Sequence, residues 1–179
     1  VDQFAEEVSA IIVDGAQLKR GYFKVESEST SRTQGHGYAT LAIGEAYGTL
    51  SLDPKLGEAA TSKMRQDQQR MKIALQRAVL LIERSQSDKG GWYYEPGDNQ
   101  DEGSVTITMI QAMRAARDVG IDVDKRVIDD AVKYVHDSQR ASDGGFRYQI
   151  AMESVTFALT AAAVSTLNAT GDYDSTVID

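Results

Sequence analysis

The sequence contains no cysteine. Disulfides, thiolate nucleophiles, thioester bonds and cysteine-ligated metals are therefore excluded. Only two prolines occur in 179 residues, which suits long helices, because proline breaks a helix interior. No apolar run approaches the roughly 20 residues needed to span a bilayer. The longest weakly polar stretch, Val155 to Leu167, is rich in Ala and Thr. Basic charge is scarce as well: the net charge is −8 and the pI about 4.8. DNA, RNA and anionic membrane surfaces are disfavoured as partners for that reason. No signal peptide is visible. The sequence opens on Val1 rather than Met, which leaves room for an upstream segment.

What is present is the composition of a globular domain. Aliphatic and aromatic residues make up 41% and charged residues 26%, so the chain has enough apolar material to fold. Its length fits one domain, residues 1–179.

Three segments share one grammar. Gln17 is followed by Gly21-Tyr22-Phe23, Gln86 by Gly90-Gly91-Trp92, and Gln139 by Gly144-Gly145-Phe146. Upstream of each Gln sits an apolar pair: Ile12/Val13, Leu81/Ile82 and Tyr134/Val135. Downstream, a second helical segment opens with Tyr38-Ala39-Thr40, Ser104-Val105-Thr106 or Ser154-Val155-Thr156. The repeats run over about 2–50, 64–119 and 124–169. The three aromatics lie 69 and 54 residues apart.

Helical periodicity supports the division. Residues 2–18, 64–85 and 124–138 each carry one apolar face, for example Met71, Leu75, Ala78 and Ile82, or Val127, Ala131, Tyr134 and Val135. Their other faces are charged, so they read as outer helices. Residues 37–49, 104–118 and 154–168 are poor in charge and rich in Ala, Thr and Met, so they read as inner, buried helices. Each Gly of the Gly-x-aromatic joints is expected to take positive φ and end an outer helix. Ser104 and Ser154 suit an N-cap, and Asp101, Glu102 and Glu153 suit the positive end of the following helix. Gly120 and Gly171 mark the ends of inner helices. Ser27–Gly35 and Leu50–Ser62 read as loops. The expected fold is all-α, with three outer–inner helix hairpins.

This grammar resembles the QW repeat of the terpenoid cyclases (squalene-hopene-cyclase-like) and the helix pairs of protein prenyltransferases. The pattern runs through a basic residue, a small residue, an aromatic–aliphatic pair, Gln and Gly-x-Trp. Arg77-Ala78, Leu81-Ile82, Gln86 and Gly90-Gly91-Trp92 follow it, with Leu81 in place of the aromatic. Ala131, Tyr134-Val135, Gln139 and Gly144-Gly145-Phe146 follow it except at Asp130 and Phe146, and the first copy is the most degraded. Gly35-His36-Gly37-Tyr38-Ala39-Thr40-Leu41-Ala42 is also similar to bacterial proteins known only by a prenyltransferase and squalene oxidase repeat. The resemblance implies an α/α toroid whose inner helices ring a cavity. Three hairpins would make a partial, half toroid, against about twelve helices for a full ring. It further implies that Gln17, Phe23, Gln86, Trp92, Gln139 and Phe146 are structural clamps tying an outer helix's end to the next inner helix's start. Such clamps carry no chemistry.

The catalytic signatures of that family are missing. Asp122-Val123-Asp124-Lys125 lacks the last acid of the Asp-x-Asp-Asp proton donor, and Asp129-Asp130 falls on an outer helix, where a solvated face is expected. Asp98-Asn99-Gln100-Asp101-Glu102 is flanked by Pro96-Gly97 and Gly103. It reads as an acid cluster at a helix N-terminus rather than a magnesium motif, with a weak calcium site as the alternative. Without cysteine, and with His36 and His136 in different repeats, the prenyltransferase zinc site is absent. His36 precedes an inner helix: it either caps the loop or faces the cavity mouth, and the former is favoured. Glu45, an acid within an inner helix, is either a cavity carboxylate or an exposed residue. Tyr93, Tyr94 and Tyr148 follow the joint aromatics and read as packing. The residues that would line a cavity are His36, Tyr38, Glu45, Asp101, Glu102 and Thr106. No cofactor or metal site is expected, and no catalytic residue is assigned. The expected role is non-catalytic binding of a hydrophobic small molecule or of a protein, with self-association or contact with the rest of a larger parent chain. An isoprenoid cyclase or prenyltransferase fragment whose acid or metal site lies elsewhere is the alternative.

Overall fold

Two one-sided helices seated across three charge-poor ones decide how this chain packs. The structure, a computed structural model, describes residues 21–24, 32–52 and 61–171. The expected first outer helix, residues 2–18, and Gln17 lie outside the described residues. The rest is all-α: α1 (Arg32–Leu52), α2 (Ser62–Arg84), α3 (Gly103–Asp118), α4 (Lys125–Asp137) and α5 (Phe157–Thr170). Among the described residues there are isolated β-bridges but no sheet. No described helix is long and apolar enough to cross a membrane.

α1, α3 and α5 pack side by side in chain order. α2 seats across α1 and α3, and α4 across α3 and α5. The amphipathic helices behave as their sequence predicts. α2 buries Met71, Leu75, Ala78 and Ile82, and α4 buries Ala131, Tyr134 and Val135. Each joint aromatic anchors a core cluster. Phe23 packs with Ile43, Met71, Leu75 and Val79, while Trp92 and Phe146 pack with Met109, Met113, Tyr134 and Leu159. Burial of such a side chain contributes about 1.5–3 kcal/mol.

Several expected boundaries shift, each for a visible reason. Residues 32–35, read as loop, form the first turn of α1. That turn has no apolar period because tertiary contacts hold it. Arg32 pairs with Glu95 at 3.4 Å, the Thr33 amide donates to the Tyr94 carbonyl at 3.0 Å, and the Gln34 amide group donates to Ser104 Oγ at 3.4 Å. α1 also continues through Leu52, past the expected stop at Leu50, whose carbonyl accepts from Gln68 at 2.7 Å. The N-caps are Glu102 and Thr156, not Ser104 and Ser154. Ser104 is already the second residue of α3. α5 starts three residues later than expected, because the Ser154 carbonyl is engaged by the Tyr148 amide. Glu153 therefore sits away from the helix end and pairs with Arg147 at 3.6 Å.

The inner helices also differ in exposure. α3 is buried nearly all round, as expected. α1 buries His36, Thr40, Ile43 and Ala46 but exposes Tyr38, Glu45 and Thr49. α5, expected to be buried, exposes Phe157, Ala158, Ala161 and Ser165, because no described element covers that face.

Candidate functional site

The Gly-x-aromatic joints set the geometry at the N-terminal ends of α1, α3 and α5. Gly21, Gly90 and Gly144 have φ of 69°, 88° and 73°, a left-handed conformation that side chains disfavour. It turns the chain so that the amide of the following aromatic points at the next helix. The Phe23 amide donates to His36 Nδ1, the Trp92 amide to Thr106 Oγ1 and the Phe146 amide to Thr160 Oγ1, all at 3.1 Å. The true counterpart of Thr106 in the third copy is thus Thr160, not Thr156, and in the first copy it is His36, not Thr40. The acceptors stand 13, 14 and 14 residues after their aromatics. That spacing is the signal that would have found Thr160, which the sequence reading missed.

His36 is 1% exposed and serves as a buried acceptor inside the first joint. Because Nδ1 accepts, the neutral ring carries its proton on Nε2. Tyr22 and Phe23 flank the ring, with centroids 5.4 and 5.3 Å away. Burial lowers its pKa to about 4, opposed only in part by the Ala78 carbonyl.

Thr106 is 0% exposed and doubly used: it accepts from Trp92 and donates to the Glu102 carbonyl at 2.8 Å. Glu102, also 0% exposed, caps α3. Its carboxylate accepts from the Ser104 and Val105 amides at 3.0 and 2.8 Å and from Ser104 Oγ at 2.6 Å. Asp101, 2% exposed, joins three segments. Lys89 Nζ reaches Oδ1 at 2.5 Å, and the Tyr134 hydroxyl and the Ile150 amide each donate to Oδ2 at 3.1 Å. Burial, and next the Asp101 charge, raise the Tyr134 pKa. Lys89, Tyr134 and Ile150 were not legible as partners, since they come from three separate segments.

Gln86 donates to the Gly90 carbonyl and to the Val127 carbonyl of α4, both at 2.9 Å. It therefore ties its own joint to the next outer helix, where the resemblance implied the next inner one. Gln139 donates to the Gly144 carbonyl at 3.3 Å. Trp92 is 0% exposed and its indole N–H donates to the Ile82 carbonyl at 2.9 Å; Phe146 is equally buried.

The aromatic group beside the joints is closely knit. Tyr93 and Tyr94 stack with centroids 4.4 Å apart, and the Tyr94 and Tyr148 hydroxyls are in contact. The Tyr22 hydroxyl donates to Glu95 at 3.5 Å, and burial, with the Glu95 charge, pushes its pKa up to about 12. Only Tyr38 and Glu45 of the six cavity candidates face solvent. Glu45 lines a groove of about 240 Å³ with Gly48, Ala115 and Asp118, between α1 and the end of α3. Two larger grooves, about 610 and 580 Å³, lie on α4 among Lys133, Asp137 and Asp130, and among Lys125, His136 and Gly171. Among the described residues no three His, Asp or Glu side chains are grouped to hold a metal ion.

Chemically, the two buried acids act as hydrogen-bond acceptors for the fold. Every oxygen of each has a donor, and neither acid lines any of the three grooves above. No protein-family model, curated protein or solved structure matches this chain.

Proposed function

We propose that the chain is a non-catalytic module of α/α-toroid type, akin to the squalene-cyclase and prenyltransferase repeats, that binds a hydrophobic ligand or a protein. The observation that carries this reading is the commitment of its buried polar groups. His36, Asp101, Glu102 and Thr106 lie where the joints meet, and each is spent on an amide, a cap or an ion pair. A catalytic acid needs a titratable oxygen within reach of substrate, and these are enclosed. Some apolar surface remains accessible, with Tyr38 at 54% exposure and Phe157 at 91%.

Incubation with squalene and with prenyl diphosphates plus magnesium tests the reading. The expected outcome is no cyclised or transferred product, together with binding of an apolar fluorescent dye that Tyr38→Ser weakens. Product formation, lost in Asp101→Asn, would instead establish the isoprenoid-enzyme alternative.

A further inference from the structure

α2 and α4 hold the same place in successive helix pairs, yet they differ in charge. α4 sets Lys125, Arg126 and Lys133 against Asp129, Asp130 and Asp137, and it pairs Lys125 with Asp129 and Lys133 with Asp137. α2 carries six of the chain's 19 basic residues, Lys63, Arg65, Arg70, Lys72, Arg77 and Arg84, but only two of its 27 acids. Both acids are engaged, Asp67 by Arg70 at 3.8 Å and Glu83 by the Asp124 amide at 2.8 Å. Arg65, Lys72 and Arg84 form no ion pair among the described residues. A basic helix thus stands on a chain whose net charge is −8.

Positions 65, 69, 72, 76 and 80 fall on one stripe of an α-helix. Arg65, Gln69, Gln76, Leu80 and Arg84 are exposed and Lys72 partly so, while Met71, Leu75, Ala78 and Ile82 point the other way into the core. From Arg65 to Arg84 the stripe runs about 28 Å, at 1.5 Å per residue. Helix stability does not account for it. Lys63 and Arg65 stand in the first turn, where the helix dipole disfavours cations. Within α2 no acid stands three or four residues from Arg65, Lys72 or Arg84, so none of them has a stabilising pair along the helix.

We propose that the outer face of α2 docks a short acidic segment of a partner protein. Arginine grips a carboxylate through two N–H groups at once, and both Arg65 and Arg84 are exposed to do so. Gln69 and Gln76 between them offer donors and acceptors to a peptide backbone. Leu80, 42% exposed, supplies an apolar contact on the same stripe. Charge and size select the partner. A nucleic-acid duplex or an anionic bilayer would reach past the stripe and meet the acidic remainder of the chain. Screening over about 8 Å at physiological salt lets a short segment feel the stripe and little else. α2 also contains no aromatic ring on which a base could stack. The site lies on a different helix from Tyr38 and Phe157, so it holds whether or not the chain binds an apolar ligand.

Fluorescence anisotropy with the full chain tests it. The probes are a labelled peptide of glutamates around a central leucine, a labelled thymidine oligonucleotide of equal charge, and phosphatidylserine vesicles. The peptide is expected to bind saturably, and more weakly as salt is added. Arg65→Gln, Lys72→Gln and Arg84→Gln together should weaken it by roughly tenfold. Helix content should stay unchanged, because Gln has a similar helix propensity and these side chains reach solvent. Lys125→Gln with Lys133→Gln, which removes cations already paired on α4, should leave binding as it was. No binding of the peptide, unaltered affinity in the α2 variant, an equal loss in the α4 variant, or tighter binding of the oligonucleotide or the vesicles would each overturn the proposal.

Discussion

The second and third joints share a backbone and differ in what their surroundings let them bury. The second sits between neighbours on both sides. It carries the larger aromatic, Trp92, with its indole N–H satisfied by Ile82, and beside it Glu102 caps with both oxygens while Asp101 gathers three donors. The third has Phe146, which needs no polar partner, a cap of one hydrogen bond from Thr156, and Val155 at the position of Asp101. Polar groups are buried where neighbours on both sides can satisfy them. Where one side is open, simpler residues do the same work.

The comparison breaks most readily at the aromatics. Trp92→Ala should cost roughly 5 kcal/mol and Phe146→Ala roughly 3, because the first empties more buried volume and also removes the indole hydrogen bond to the Ile82 carbonyl. Urea unfolding of both variants measures the difference. Equal losses would mean that the interior position confers nothing beyond aromatic bulk.

The first joint extends the comparison to pH. There the amide acceptor is an imidazole rather than a hydroxyl. Folded His36 resists protonation down to about pH 4, whereas the unfolded residue takes up a proton near pH 6.5. The unfolded state therefore binds more protons between those values, so stability is full above pH 6.5 and falls as pH drops to about 4. The loss from this one group amounts to about 3 kcal/mol. Protonation would also turn Nδ1 into a donor facing the Phe23 amide. In His36→Thr, which copies the other two joints, the part of the acid dependence owed to this group should vanish. Parallel stability–pH curves for wild type and variant would refute that.

Helix existence was legible because it depends on local pattern. Met71, Leu75, Ala78 and Ile82 announce α2, and Ala131, Tyr134 and Val135 announce α4, within a residue or two of the observed ends. The joint glycines were legible because only a left-handed turn explains Gly at the same place three times. The first turn of α1 was not, since Arg32, Thr33 and Gln34 are held by Glu95, Tyr94 and Ser104 from distant segments. For the same reason Asp101 read as a helix-end acid. Its role as a hub is set by Lys89, Tyr134 and Ile150, which only the packing of α4 and the third joint brings together.

The smallest predicted effect separates an inner position from its counterpart at the edge. Gly103 and Phe157 both open an inner helix, but the third pair is pressed against Gly103, whereas Phe157 is 91% exposed. Gly103→Ala should cost about 1–2 kcal/mol, since its methyl would crowd the Arg147 carbonyl and Leu159. Phe157→Ser should change monomer stability by no more than about 0.5 kcal/mol, because Phe and Ser have similar helix propensities and little packing is lost. Thermal unfolding of both makes the test. A large loss at Phe157 would mean that its ring already packs within the monomer, and the edge would then be closed rather than open. A negligible loss would show that the ring of Phe157 lies outside the packing that holds α5 in place, so the edge is open in solution as it is in the structure.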